Sequence, residues 1–254
     1  MRFCVGIVAL SRVLLEFEMK YMGSKNRIAK HLLPIMVEAA EKAGITTWVE
    51  PFVGGANMID KVPDRFKRIG YDLNPHTIAA LIAIRDMVGD LPDSVSEEEY
   101  KSLKGSIPQP ISSWIRFVCS FGGKFEYGYA RQGNSLKYKS EPIQEGLRNA
   151  QKQSPKIQGV VFQCMSYQDV DVTGALIYCD SPYQGATGYK TGAFDHDAFF
   201  DWCRKMKAKG NVVFVSEYNA PDDFTCVWQG EVKTNFASGR SGATHNAVEK
   251  LFLV

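Results

Sequence analysis

From residue 19 onward the sequence alternates short apolar runs with stretches whose apolar side chains recur every three or four positions. Strand-sized and helix-sized segments in such succession pack as a mainly parallel sheet with helices on both faces, which leaves few other architectures open. Runs at 46–50, 68–72, 160–164, 175–179 and 211–216 read as strands, and 224–232 and 249–254 as closing strands. Helical spacing covers 26–43, ended by Gly44, then 75–87, opened by Pro75, and 194–209, ended by Gly210. The turn Pro51-Phe52-Val53-Gly54-Gly55-Ala56-Asn57-Met58 is expected to lead into a further helix. A chain of 254 residues can form one large domain with a smaller insert.

Between residues 91 and 159 the alternation lapses. From 100 to 158 there are ten Lys or Arg against three acids, a local charge of +7 in a chain of net charge +2, so the rest carries −5. A basic insert in an otherwise acidic protein suits a polyanion, although Lys-rich loops on a solvated surface give the same count. The segment interleaves its cations with Trp114, Phe117, Phe121, Phe125, Tyr127, Tyr129 and Tyr138. Such a mixture fits nucleic acid, with cations on phosphate and rings on bases. Each ring taken singly reads first as core.

The six cysteines form no CxxC pair and no zinc-ligand spacing, and the four histidines are scattered. They read as reduced thiols of a cytosolic protein without a metal site. The apolar stretch at 3–10 is too short to span a membrane and lacks a convincing cleavage site; 1–18 is expected to be an extension ahead of a natural start at Met19, with a signal peptide as the alternative.

The chemistry concentrates at strand ends. The run 175–179 stops abruptly at Asp180-Ser181-Pro182-Tyr183. There a carboxylate can accept from an exocyclic amine, a proline stiffens the backbone, and an aromatic face awaits a flat ring. The same four residues also make an ordinary turn. The glycine-containing turn after Glu50 sits where a nucleotide-type fold places its first strand-to-helix turn, but lacks the third glycine of a dinucleotide fingerprint. Asp72, ending the next strand, can accept both hydroxyls of a ribose; it can equally cap the helix at Pro75. The combination implies an adenosine-like cofactor with no demand for phosphate, as S-adenosylmethionine is. A nicotinamide dehydrogenase is disfavoured.

Taken in order, Tyr21-Met22-Gly23-Ser24-Lys25, Val49-Glu50-Pro51-Phe52-Val53-Gly54-Gly55, Asp72-Leu73-Asn74, Asp180-Ser181-Pro182-Tyr183 and Ser216-Glu217-Tyr218-Asn219 resemble the Dam-type DNA adenine N6-methyltransferases of bacteria and phages. The resemblance implies an α/β fold, a Rossmann-like S-adenosylmethionine-dependent methyltransferase sheet, formed by 19–91 and 160–254 around a target-recognition insert at 92–159. It implies cofactor contacts at Tyr21, Gly23, Lys25, Pro51, Phe52, Gly54, Asp72 and Asp180, with Lys25 meeting the methionine carboxylate. Asp180 and the Ser181 carbonyl would hold N6 of a flipped-out adenine and Tyr183 would stack on it, with Pro182 completing the motif. Lys124, Arg131, Asn134 and Lys137 become candidates for DNA contact. It further implies double-stranded DNA as partner, no metal, no membrane, and a cytoplasmic monomer. The family's usual second residue is proline, and Ser181 replaces it at some cost in rigidity. A cytosine-N4 or RNA amino-methyltransferase, an enzyme for a glutamine amide, and a DNA-binding homologue without catalysis are the competing readings.

Overall fold

A computed structural model describes residues 24–121, 125, 127–130, 142–183, 194–234 and 245–254. Seven strands form one sheet: β1 (Thr47–Glu50), β2 (Lys67–Asp72), β3 (Val161–Cys164), β4 (Leu176–Cys179), β5 (Val212–Glu217), β6 (Thr225–Thr234) and β7 (His245–Leu253). Their order is β3-β2-β1-β4-β5-β7-β6. The first five are parallel, and β7 is antiparallel to both β5 and β6. The sheet is thus the mainly parallel α/β sheet that the alternation predicts, with the Rossmann-like form that the resemblance implies. Its order reverses between β1 and β4, the point where open α/β sheets leave a crevice beyond their carboxyl ends.

Both faces are covered, which is why the strands are apolar at successive positions rather than alternating ones. Trp48, Leu176, Tyr178, Phe214 and Leu251 point to one face, where they meet α1 (Ala29–Lys42), α2 (Pro75–Asp86), α4 (Pro110–Val118) and α5 (Pro142–Gln153) through Leu32, Met36, Leu81, Ile84, Trp114 and Ile143. Val49, Ile177, Cys179, Val213, Val215 and Phe252 point to the other, against Phe199, Trp202, Cys203 and Met206 of α6 (His196–Ala208). Capping follows the sequence: Asn74 accepts from the His76 amide with Pro75 behind it, and Asp195 accepts from the Ala198 amide.

Two expectations are corrected. No full helix follows the turn after β1; Ile59–Lys61 make a single 3-10 turn before β2, because only Ala56 to Val62 lie between the glycines and Pro63 and that is too short for a helix. The last strand begins at His245, not 249, and pairs with β6 along most of its length.

The segment 92–159 contributes α3 (Glu97–Ser102), α4 and α5, and the latter two pack into the same core as α2. Trp114 and Phe117 are buried there, Phe125 and Tyr129 pack partly against it, and Phe121 and Tyr127 are exposed. One cation of the basic count, Arg116, is buried: it donates to the Ser106 carbonyl at 3.0 Å and lies 4.5 Å from the centre of the Phe125 ring. Lys124, Arg131, Asn134, Lys137 and Tyr138 lie outside the described residues, as do the loop at 238–242 and the whole of 1–23, Tyr21 and Gly23 included.

Candidate active site

The residues with chemistry gather at the carboxyl ends of β1, β2 and β4, on either side of the reversal in strand order. The chain leaving β1 folds back over β2, where the Val53 amide donates to the Tyr71 carbonyl at 2.8 Å. The close approach requires Gly70: a Cβ there would stand 2.7 Å from Val53 Cγ2. Gly54 and Ala56 both take positive φ, +48° and +59°, the second a conformation that costs an L residue and marks a constrained loop.

That loop presents its backbone to Asp72. The Gly54 amide donates to Asp72 Oδ2 at 3.1 Å and the Asn74 amide to Oδ1 at 2.8 Å. Burial nevertheless pushes the Asp72 carboxyl up to about 6, with the two amides acting against it. An acid pinned by two amides has its orientation set and retains lone pairs for a ligand. Beside it Phe52 packs at 5.3 Å from Tyr167, 5.9 Å from Phe194 and 5.7 Å from Phe199, a ring wall that joins the loop to the strand end after β3 and to α6. The donors and rings match what an adenosine moiety asks for: an acid for hydroxyls, exposed backbone amides and an apolar wall.

Across the reversal, Asp180 follows β4 with its side chain 23% exposed. Lys25, just before α1, places Nζ 3.1 Å from Asp180 Oδ1 and 3.7 Å from Glu249 Oε1. The same ammonium lies 4.4 Å from the centre of the Tyr183 ring. Tyr183 in turn donates its hydroxyl to Glu249 Oε2 at 2.6 Å, and its ring meets Tyr218 edge to face at 4.7 Å. Burial raises the Asp180 carboxyl above its ordinary value, with Lys25 drawing it back. For Lys25 burial acts downward, but Asp180 and Glu249 outweigh it and the ammonium titrates above its usual range. Burial and the nearby Asp180 raise Tyr183 well above an ordinary phenol, so it remains a donor. Glu50, buried at the end of β1, accepts from the Trp48 indole at 2.9 Å, and burial holds its carboxyl well above the ordinary range.

The structure therefore brings the predicted residues into two neighbouring groups, Pro51, Phe52, Gly54 and Asp72 in one and Lys25 with Asp180 to Tyr183 in the other. Lys25, expected beside a cofactor carboxylate, here meets the carboxylates of Asp180 and Glu249. Ser181 is buried, and its hydroxyl has no hydrogen-bond partner among the described residues. Sequence reasoning assigned no site role to Glu249 or to the ring of Tyr218. The available signal was a carboxylate inside an apolar closing strand, where an unpaired charge is costly. Among the described residues no group of three His, Cys, Asp or Glu could hold a metal ion, and no helix is long and apolar enough to cross a membrane.

Residues 21–106 match the family model of the D12 class N6 adenine-specific DNA methyltransferases. No curated protein matches the chain. Among solved structures, the rRNA methyltransferase aviRa from Streptomyces viridochromogenes matches at 10% identity with a TM-score of 0.46, covering 92% of this chain and 86% of that one.

Proposed function

With residues 21–106 matching the family model of the D12 class N6 adenine-specific DNA methyltransferases, we propose that this protein transfers a methyl group from S-adenosylmethionine to N6 of an adenine flipped out of duplex DNA. The observation that carries the reading is the position of the Lys25 ammonium. A nitrogen bearing hydrogens sits 3.1 Å from Asp180 and over the Tyr183 ring at once. The two groups can therefore hold an amine attached to a flat ring.

Asp72, oriented by the Gly54 and Asn74 amides, would accept the ribose hydroxyls of the cofactor, and Phe52 would line its cleft. When bound, S-adenosylmethionine supplies an electrophilic methyl on a sulfonium. Adenine N6 is a poor nucleophile because its lone pair is delocalised into the ring. An Asp180 oxygen and the Ser181 carbonyl, each accepting one N–H, favour a tetrahedral nitrogen whose lone pair is free to attack. As the N–C bond forms, the S–C pair leaves with sulfur, and nitrogen sheds one proton. Asp180, raised by burial, is placed to take it. Tyr183 stacks on the extruded base and offsets part of an unstacking cost of roughly a few kcal/mol.

The described parts of 92–159 support the DNA side. Cys119 to Phe121 and Gly128 to Ala130 run as two arms of a hairpin, bridged at Ser120 and Tyr129, that exposes Phe121 and Tyr127. Lys124, Arg131, Asn134 and Lys137 are proposed as the phosphate and base contacts of that segment. The test is incubation with S-adenosylmethionine and DNA followed by digestion to nucleosides. N6-methyladenine is expected; N4-methylcytosine in its place would refute the reading. Asp180→Ala should slow transfer by about two to four orders of magnitude, with circular dichroism unchanged.

A further inference from the structure

Glu249 lies in β7 opposite Gly230 of β6, on the sheet face that Leu251 shares and that α1 covers. Its side chain is 8% exposed. An apolar residue is the economical choice at such a position, since burying a carboxylate is costly unless each oxygen finds a partner. Here each does, and the two partners differ. Oε2 accepts from the Tyr183 hydroxyl at 2.6 Å, while Oε1 faces the Lys25 ammonium at 3.7 Å. Neither partner is near it in sequence: Tyr183 is 66 residues away and Lys25 lies at the other end of the chain.

We propose that Glu249 is a positioning residue for methyl transfer: one oxygen fixes the Tyr183 ring through its hydroxyl, and the other gives the Lys25 ammonium a partner when the adenine amine takes its place beside Asp180. The inference rests on the reading of Asp180 and Tyr183 given above. A tethered hydroxyl leaves the ring of Tyr183 little freedom about its side-chain torsions, and Tyr218 limits it further from the side. A flipped base then meets a plane already set. Without the tether, ring and base must be ordered together, and that cost falls on the chemical step rather than on the encounter with DNA.

The test uses the full chain, S-adenosylmethionine and a duplex with 2-aminopurine at the target position, whose emission reports an extruded base. Glu249→Ala is expected to lower the single-turnover rate by about tenfold or more, to weaken the extruded-base signal and to leave the KM for DNA nearly unchanged. Glu249→Gln, which keeps an acceptor for Tyr183 but removes the charge facing Lys25, should fall between Glu249→Ala and the parent. Tyr183→Phe should lower the rate likewise, and the double variant Tyr183→Phe/Glu249→Ala should be little slower than the slower single one, because the two changes break one link. Rates that multiply in the double variant, or a Glu249→Ala protein as fast as the parent, would overturn the proposal. Should Glu249→Ala fail to fold, Glu249→Gln decides: parental rate and parental emission overturn it. Asp180→Ala separates the two readings. If Asp180→Ala is inactive while the Glu249 variants are normal, this inference alone fails; if Asp180→Ala is itself active, the site reading fails.

Discussion

Asp72 shows how one backbone arrangement sets a side chain's chemistry. Two amides point at its carboxylate and favour the charged form, and still burial raises it from the ordinary 3.8 to about 6. Ionised Asp72 is the stronger acceptor for ribose hydroxyls, so affinity for S-adenosylmethionine is expected to fall as pH drops through about 6, and Asp72→Asn should flatten that dependence in calorimetric titrations at about pH 5 and pH 8. The stability effect has the opposite sign. The folded protein holds a proton on Asp72 that the unfolded chain releases, so the contribution is full below about pH 4 and lost as pH rises to about 6. Urea midpoints of the parent and Asp72→Asn across that window measure it. Asp72, Asp180 and Tyr183 were legible in the sequence because strand ends announce themselves locally. Glu249 and the Lys25 pairings were not, since only the closed sheet brings residues 25, 180 and 249 together.

At the scale of elements, the loop between β1 and β2 stands where a helix was expected and orients Asp72 through its backbone. Gly70 leaves room for Val53 to lie across β2, and that placement aims the Gly54 amide at Asp72. Gly70→Ala should therefore destabilise the fold by about 1–3 kcal/mol, as overpacking does, and weaken cofactor binding as well. Gly89→Ala, where an added Cβ meets nothing within 4 Å, is the control expected to change neither. Melting curves with and without cofactor distinguish them. The apolar runs identified all seven strands to within a few residues, because burial on both faces writes itself into composition. The expected helix after β1 was misread because glycine and proline mark where a chain turns but not which element comes next. In 92–159 the helical faces of α4 and α5 are amphipathic, yet nothing local tells that α4 packs mainly on α2 while α5 meets both α2 and α4.

For the whole molecule, strand order decides where the parts meet. Reversal between β1 and β4 sets the loop whose Gly54 amide meets Asp72 next to Asp180, while the antiparallel β7 delivers Glu249 from the far side. The direction of that last strand has no signature in its residues; parallel and antiparallel strands covered on both faces look alike. The basic excess of the middle segment pointed to a surface, and the burial of Arg116 shows that a charge count also includes cations spent on structure.

The ionic group around Lys25 has a further consequence. Asp180 and Glu249 bring two negative charges and Lys25 one positive, while burial holds the nearby Glu50 carboxyl well above its ordinary range. Those three side chains are therefore one positive charge short. In the proposed reaction S-adenosylmethionine carries that charge and S-adenosylhomocysteine does not, so once the proton passed to Asp180 has left, the site would have lost the charge that balanced it. Occupancy by fresh reagent and release of spent reagent would then be two readings of a single electrostatic deficit. Asp180→Asn, which cancels the deficit, should weaken binding of S-adenosylmethionine more than that of S-adenosylhomocysteine, a ratio that calorimetry reads directly.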